Sequence, residues 1–450
     1  MVNEAERAAA QQRAAHELGS DSLADSKPVP VDAERIATLD FIRGVAVIGI
    51  VFANIAAFGQ PFSAAFYPDA FLQRPDDWDR WAWLVQLVAI DGKLRGLFTL
   101  LFGAGLALFT DKAWAKGAGI GLQLRRLFWL LCFGAAHFAL LWRGDILMSY
   151  ALAGAVAVPF LRWSGRRLLT VGLAAYAVGA LLLTGVYGFA AFAGRAEMAG
   201  HPQFGEAHAQ MAAAQADATA KDAAEAVVIR AGDYGRYLAN NIDQLPDQFG
   251  FSSLLTAFET LPLLLLGMGL YRAGFFEGRF DRRRVLWWSI AGIAAGGAAT
   301  LALGLREMRE GLTYFGTIWT IMGVTMLPRL PMILGLAGLL TLADGRAAEW
   351  LGGRVRAAGR MAFTNYLATS FAMLWVFHGF GLGLFGELNR LPLYAVAAGM
   401  GALMLAWSKP SLDRFNYGPL EWLWRCLTYG RLFPLRRESG GTAPSVHKGE

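Results

Sequence analysis

Asp40, Arg43 and Asn54 stand in or beside a run that is otherwise apolar from Phe41 to Phe58, and a second polar cluster, GRMAFTNYL, interrupts an apolar stretch near residue 360. Ionisable groups within a membrane span are costly unless partnered, and they are usually kept for function. At ~100° per residue the three side chains fall within roughly 60° of one another on a helix, with Asn54 ~16 Å above Arg43. That stripe must face protein or water. It serves either chemistry or helix–helix adhesion, since an Asp–Arg pair and an interhelical amide also hold bundles together. A third segment, GAAHFALLWRGDIL, carries His137 and Asp145, and a fourth begins with Asp91, Lys93 and Arg95. A histidine near a carboxylate and an amide is the residue set of a general base or an acyl-transfer centre. The bland reading of His137, and more so of His378, is a hydrogen-bonded core histidine. No glycine-rich phosphate loop, zinc motif or Ser/His/Asp order is recognisable, and the two cysteines, Cys132 and Cys426, offer neither a disulfide framework nor metal-ligand spacing, so no metal is expected.

The elements that must position these residues follow from composition. With 55% hydrophobic and 13% aromatic residues over 450 positions, the chain has the make-up of an all-α polytopic membrane protein. The net charge of +6 suits cytoplasmic-loop arginine and indicates no nucleic-acid partner. Because mostly polar residues precede a first apolar run longer than a signal-peptide core, that run is expected to stay in the protein. Apolar runs place ten spans at about 36–58, 93–110, 120–142, 146–162, 167–193, 251–271, 284–305, 326–344, 361–385 and 391–408. Short loops on one side hold 16 Lys/Arg against 6 on the other, which puts both termini in the cytoplasm. The chain then divides into a polar tail (1–34), a first five-span half (35–193), an extracytoplasmic insertion (194–250) with an Ala-rich helix from Glu206 to Arg230, a second five-span half (251–408), and an interfacial aromatic segment with a tail (409–450). Trp78, Trp81 and Trp83 suggest an interfacial helix, and Pro328, Arg329 and Pro331 a short outer-leaflet helix before the eighth span.

Orientation sorts the polar residues by depth. Asn54, Asp91, Lys93, Arg95, His137, Asp145 and His378 fall towards the outer side. Asp40, Arg43, Arg125, Arg126, Arg360, Asn365, Glu421 and Arg425 fall towards the inner side. Inner arginines could bind the phosphates of a cytosolic acyl coenzyme A, because guanidinium meets phosphate bidentately, although cytoplasmic arginines are also what orientation requires. Glu421 and Arg425, four residues apart, can pair.

Five motifs in order, RIATLDFIRGVAVIGIVFAN, KLRGLFTLLFGAG, HFALLWRGDIL, GRMAFTNYL and GPLEWLWR, resemble those of the YeiB family of bacterial inner-membrane proteins over nearly the whole membrane region. That family is in turn remotely similar to transmembrane acyltransferases such as heparan-alpha-glucosaminide N-acetyltransferase. The likeness implies a bacterial cytoplasmic-membrane location, a cytosolic acyl-CoA donor, and alignment of Asn54 with an active-site asparagine. The acetyltransferase has a histidine shortly after that asparagine, whereas residues 55–92 contain none. His137 or another group would have to replace it.

Three functions remain open. The first is an acyltransferase, with His137, Asn54 and Asp145 at the transfer point, and Asp40, Arg43, Lys93, Arg95, Asn365, Glu421 and Arg425 binding donor or substrate. Its acceptor would be a small molecule or an envelope glycan or lipid. The second is a permease for a small anionic or amphiphilic solute, and the third a non-catalytic membrane partner. Membrane lipid and a second copy of the chain are the other candidate partners. The two halves show no sequence repeat of the kind that inverted-repeat carriers carry.

Overall fold

The computed structural model describes residues 36–73, 77–344 and 349–437; the N-terminal tail, the last thirteen residues and part of the basic 345–360 loop lie outside them. The architecture is an all-α bundle, and among the described residues strand pairing is limited to one isolated bridge between Phe415 and Arg436. The order is α1 (Ala37–Gly59), α2 (Asp77–Ala89), α3 (Lys93–Trp114), α4 (Ile120–Leu140), α5 (Leu147–Ala157), α6 (Gly165–Ala193), α7 (Gly205–Ala231), α8 (Tyr234–Asp243), α9 (Leu245–Leu255), α10 (Leu261–Arg272), α11 (Arg282–Arg309), α12 (Tyr314–Trp319), α13 (Met326–Ala343), α14 (Glu349–Arg360), α15 (Ala362–Phe377), α16 (Arg390–Arg414) and α17 (Pro419–Tyr429). Seven stretches of described helix are long and apolar enough to cross a membrane: α1, α2 with α3, α6, α9 with α10, α11, α13 and α16. Helices stand at the ten expected span positions, but those at 120–142, 146–162 and 361–385 are not among the seven, and the ninth is shorter than 361–385. It ends at Phe377 because His378 adopts an extended backbone.

The central helix is α1. One face, Val47, Ile50 and Val51, joins a core with Tyr366 and Phe377, and the other, Leu39, Ile42 and Ala46, joins a core with Leu97, Leu100 and Ile333. Small residues let its neighbours approach closely, as in membrane bundles where packing replaces the hydrophobic effect. A Cβ on Gly44 would overlap the Val355 carbonyl of α14, and one on Gly359 would overlap the Asp40 carbonyl of α1. The outermost helices reverse this pattern. Leu181, Val186 and Phe189 on α6, and Trp287 and Trp288 on α11, expose large apolar surface suited to lipid rather than water.

The Ala-rich segment forms α7, and the insertion is docked onto the bundle. Carbonyls at the end of α4 would be unsatisfied there. Tyr234 and Tyr237 hydroxyls donate to those of Leu140 and Leu141 (2.8 and 3.1 Å), and the Asn241 amide donates to that of Ala139 (3.2 Å). Arg143 reaches α7 at Glu225 (2.6 Å). Of the interfacial tryptophans, Trp78 and Trp81 are exposed, whereas Trp83 is fully buried against Leu312 and Ile321.

Candidate functional site

His137, near the end of α4, is buried with both ring nitrogens engaged. Nδ1 lies 2.9 Å from Asp145 Oδ1 and Nε2 lies 2.8 Å from the hydroxyl of Ser370 on α15. The second Asp145 oxygen accepts the Met148 amide at 2.7 Å, which anchors the carboxylate at the start of α5. Tyr366, one turn before Ser370, stacks obliquely on the imidazole with centroids 5.0 Å apart. A Ser–His–Asp chain therefore exists in space although no such order is recognisable in the sequence. Its hydrogen-bond geometry is that of an activated nucleophile, a base and the group that orients the base.

Two cavities meet beside this chain. One, of about 170 Å³, is lined by Asn54, Asp91, Arg95, Arg143, Asp145 and Arg329, among others. It opens into a vestibule of about 360 Å³ with which it shares Phe62, Phe66, Arg143 and Gln248. The other, of about 150 Å³, is lined by Arg43, Arg126, Arg360 and Glu421 together with apolar residues. Ile50, Ile146 and Tyr150 border both, so the partition is about one side chain thick. Tyr150 is fixed in it by stacking on Phe102 (5.2 Å) and by a hydroxyl contact with Thr99 (3.0 Å). A further chamber of about 10 Å³, roughly one water in size, touches Ser370, Asn54, Ile50 and Tyr366 and thus adjoins both cavities. The Asn54 side chain has no hydrogen-bond partner among the described residues and faces this space.

Charge is concentrated in the wall of the 170 Å³ cavity. Arg95 meets Glu259 at 2.6 Å, and Arg329 meets the same carboxylate at 3.2 Å and also bonds the Ile321 carbonyl. Glu259 lies in a π-helical turn, Thr256–Thr260, and Ile321 in a second, Thr320–Val324; such turns widen a helix and recur at functional sites. Between α2 and α3, Gly92 has φ 72° and lies directly against the Arg329 guanidinium. Asp91 accepts from Gln86 (2.9 Å), which accepts from Arg390 and Tyr394, while Lys93 donates to the Leu87 carbonyl in the buried turn. Arg95 therefore faces the cavity and Lys93 does not line it.

At the other end, Arg43 pairs with Asp40 (3.1 Å). Arg126 lies over Trp424 and Phe109 at 4.5 and 4.6 Å, and its Nη1 has no hydrogen-bond partner among the described residues. The remaining expected binding residues also make contacts within the bundle. Glu421 accepts the Phe363 and Thr364 amides (2.9 and 3.0 Å) and the Thr364 hydroxyl, so this carboxylate from α17 caps the N-terminus of α15, where orphan amides favour an anion. Arg425 stacks on Tyr417, Tyr429 and Phe433. Asn365 bonds the Ala358 carbonyl, Ser408 and Trp407, which ties α15 to α14 and α16. Asp40 and Arg43 consequently meet α14 at its Gly359 crossing more directly than the Asn365 network. Arg125 packs near Gly430, and His378 stacks edge-on to Tyr237 (4.6 Å), apart from His137.

Three residues of this arrangement, Ser370, Glu259 and Arg329, were not assigned a role from sequence. Glu259 had a signal, being a lone carboxylate in the apolar run LLTAFETLPLLLL. Arg329 stands out in the sequence only as part of a break between Pro328 and Pro331, and a serine in an apolar helix carries no signal of its own.

Comparison with known proteins places this chain among uncharacterised relatives. The family model described as a protein of unknown function (DUF418) matches residues 270–431. YeiB of Escherichia coli is 29% identical, covering 88% of this chain and 96% of YeiB, and YxaH of Bacillus subtilis is 28% identical, covering 90% and 97%. An uncharacterised 39.9 kDa protein encoded beside an amylase in Bacillus acidopullulyticus is 26% identical over 91% of the chain. No solved structure matches. Over about nine-tenths of its length the chain is thus similar to YeiB and YxaH, and residues 270–431 match the DUF418 model.

Proposed function

We propose that this protein is a transmembrane acyltransferase of the bacterial cytoplasmic membrane, taking an acyl group from a cytosolic acyl-CoA and delivering it to an envelope acceptor. One observation carries the reading: two cavities of different character lie back to back across Ile50, Ile146 and Tyr150, with Asn54 and Asp145 in the wall of one and His137 bonded behind Asp145. The Arg43–Arg126 cavity takes the donor. Its guanidinium groups suit phosphate, the unsatisfied Arg126 Nη1 supplies a free donor, and the apolar lining suits the acyl chain. The excess of Lys/Arg in the loops at that end supports a cytosolic position for it. The opposite cavity and its vestibule admit the acceptor, whose nucleophile loses its proton to His137.

Calorimetry with acetyl-CoA and a longer acyl-CoA at two ionic strengths tests this. Binding is expected to weaken with salt, and to weaken about tenfold or more in Arg126→Ala, since a hydrogen bond to a charged group contributes about 1.5–3 kcal/mol. Absence of binding by acyl-CoA and by free CoA refutes it. A permease for a small amphiphilic anion is the second reading, favoured by the thin partition between opposed cavities and by the helix breaks at Gly92 and the π turns. Uptake of a labelled anion into proteoliposomes without acyl transfer would select it.

A further inference from the structure

We infer that Ser370 is a covalent way-station: the acyl group passes from donor to acceptor through an ester on its Oγ, with His137 as the base and Asp145 as the group that orients it. The inference rests on the acyltransferase reading and adds to it a nucleophile and a two-step course.

The geometry supports each role. Ser370 Oγ and Asp145 Oδ1 engage opposite nitrogens of one imidazole at 2.8 and 2.9 Å. With Asp145 accepting from Nδ1–H, Nε2 is left to accept the serine proton. Backbone anchoring of Asp145 through Met148 holds the ring in place. Ser370 also borders a small chamber lined by Ile50 and Tyr366, shared with the Arg43–Arg126 cavity, and by Asn54, shared with the Asp145 cavity. Ser370 lines neither cavity itself but stands in the partition beside residues of each, so that neither cavity has to hold both substrates. The unpaired Asn54 amide at that chamber is the candidate donor to the oxyanion.

In the first step His137 Nε2 takes the Ser370 proton, Oγ attacks the thioester carbonyl, the C–S bond breaks, and the departing thiolate receives the proton as free CoA. In the second, His137 takes a proton from an acceptor hydroxyl, the hydroxyl oxygen attacks the serine ester, and Ser370 leaves with that proton. No oxidant, reductant or metal is consumed.

The test uses the full-length protein in detergent with two small probes, a methyl fluorophosphonate and phenyl acetate, followed by peptide mass mapping. A single adduct on Ser370 is expected with one or both, absent in Ser370→Ala and slowed about 100-fold or more in His137→Gln. Ser370→Cys should restore an acyl adduct as a thioester, and unchanged elution and melting of the variants exclude misfolding. No adduct on Ser370 with either probe, or labelling unchanged in His137→Gln, overturns the inference. Neither probe contains CoA. An adduct without acyl-CoA binding therefore keeps Ser370 as a nucleophile and removes the donor reading, whereas acyl-CoA binding without an adduct does the opposite.

Discussion

Replacing Glu259 with Gln should be among the most damaging single substitutions in the bundle that leaves shape unchanged. The carboxylate is 2% exposed and is the shared counter-charge of Arg329, whose side chain is 1% exposed, and Arg95, whose side chain is 22% exposed. At the observed separations of 3.2 and 2.6 Å, and an effective dielectric constant of ~20, each contact is worth about 5–6 kcal/mol of gross attraction. Desolvation offsets much of that, and removing one member of a buried pair costs about 3–5 kcal/mol net because a lone charge stays behind. Arg329 cannot escape to water, and a neutral amide in place of Glu259 leaves it uncompensated. Arg95 can relax towards the cavity, so the loss belongs mainly to the Arg329 contact. The assay is denaturant-titrated unfolding in mixed micelles for wild type, Glu259→Gln, Arg329→Met and the double variant. The double should recover about 2 kcal/mol or more relative to the sum of the singles, since it removes both charges. A Glu259→Gln cost below about 1 kcal/mol, or strict additivity in the cycle, would refute a buried ion-pair network at this site.

Three further outcomes are expected. Gly359→Ala should destabilise the bundle by about 1–3 kcal/mol, read by the same titration, because its Cβ meets the rigid Asp40 backbone rather than a movable side chain. Glu421→Ala should cost about 1–2 kcal/mol by uncapping α15, read by the same titration, and a cost below about 0.5 kcal/mol would remove the capping role. His378 lies just beyond α15, where burial lowers its pKa to about 4, so the fold holds it neutral while the unfolded chain protonates near the ordinary value. Stability should therefore fall as pH drops through the window between the unfolded value and about 4, and His378→Phe should flatten that part of the profile.

The helices and their approximate ends were legible in the sequence because apolar runs of spanning length, an Ala-rich stretch and charged breaks are local signals. The polar stripe of α1 was legible for the same reason, through the fixed turn of a helix. His137 and Asp145 could be paired by eye, since eight residues and one turn separate them. Ser370 could not be, because it stands 233 residues from His137 and their hydrogen bond exists only through the way α15 packs against α4. The same holds for Glu259 with Arg95 and Arg329, and for Glu421, whose amide partners on α15 stand 58 and 57 residues away in sequence. Sequence determined which residues are too costly to leave unpaired in a membrane. Tertiary structure decided which partner each one found, because partners are chosen by proximity between helices, and that proximity depends on small residues such as Gly44 and Gly359 that carry no chemistry themselves.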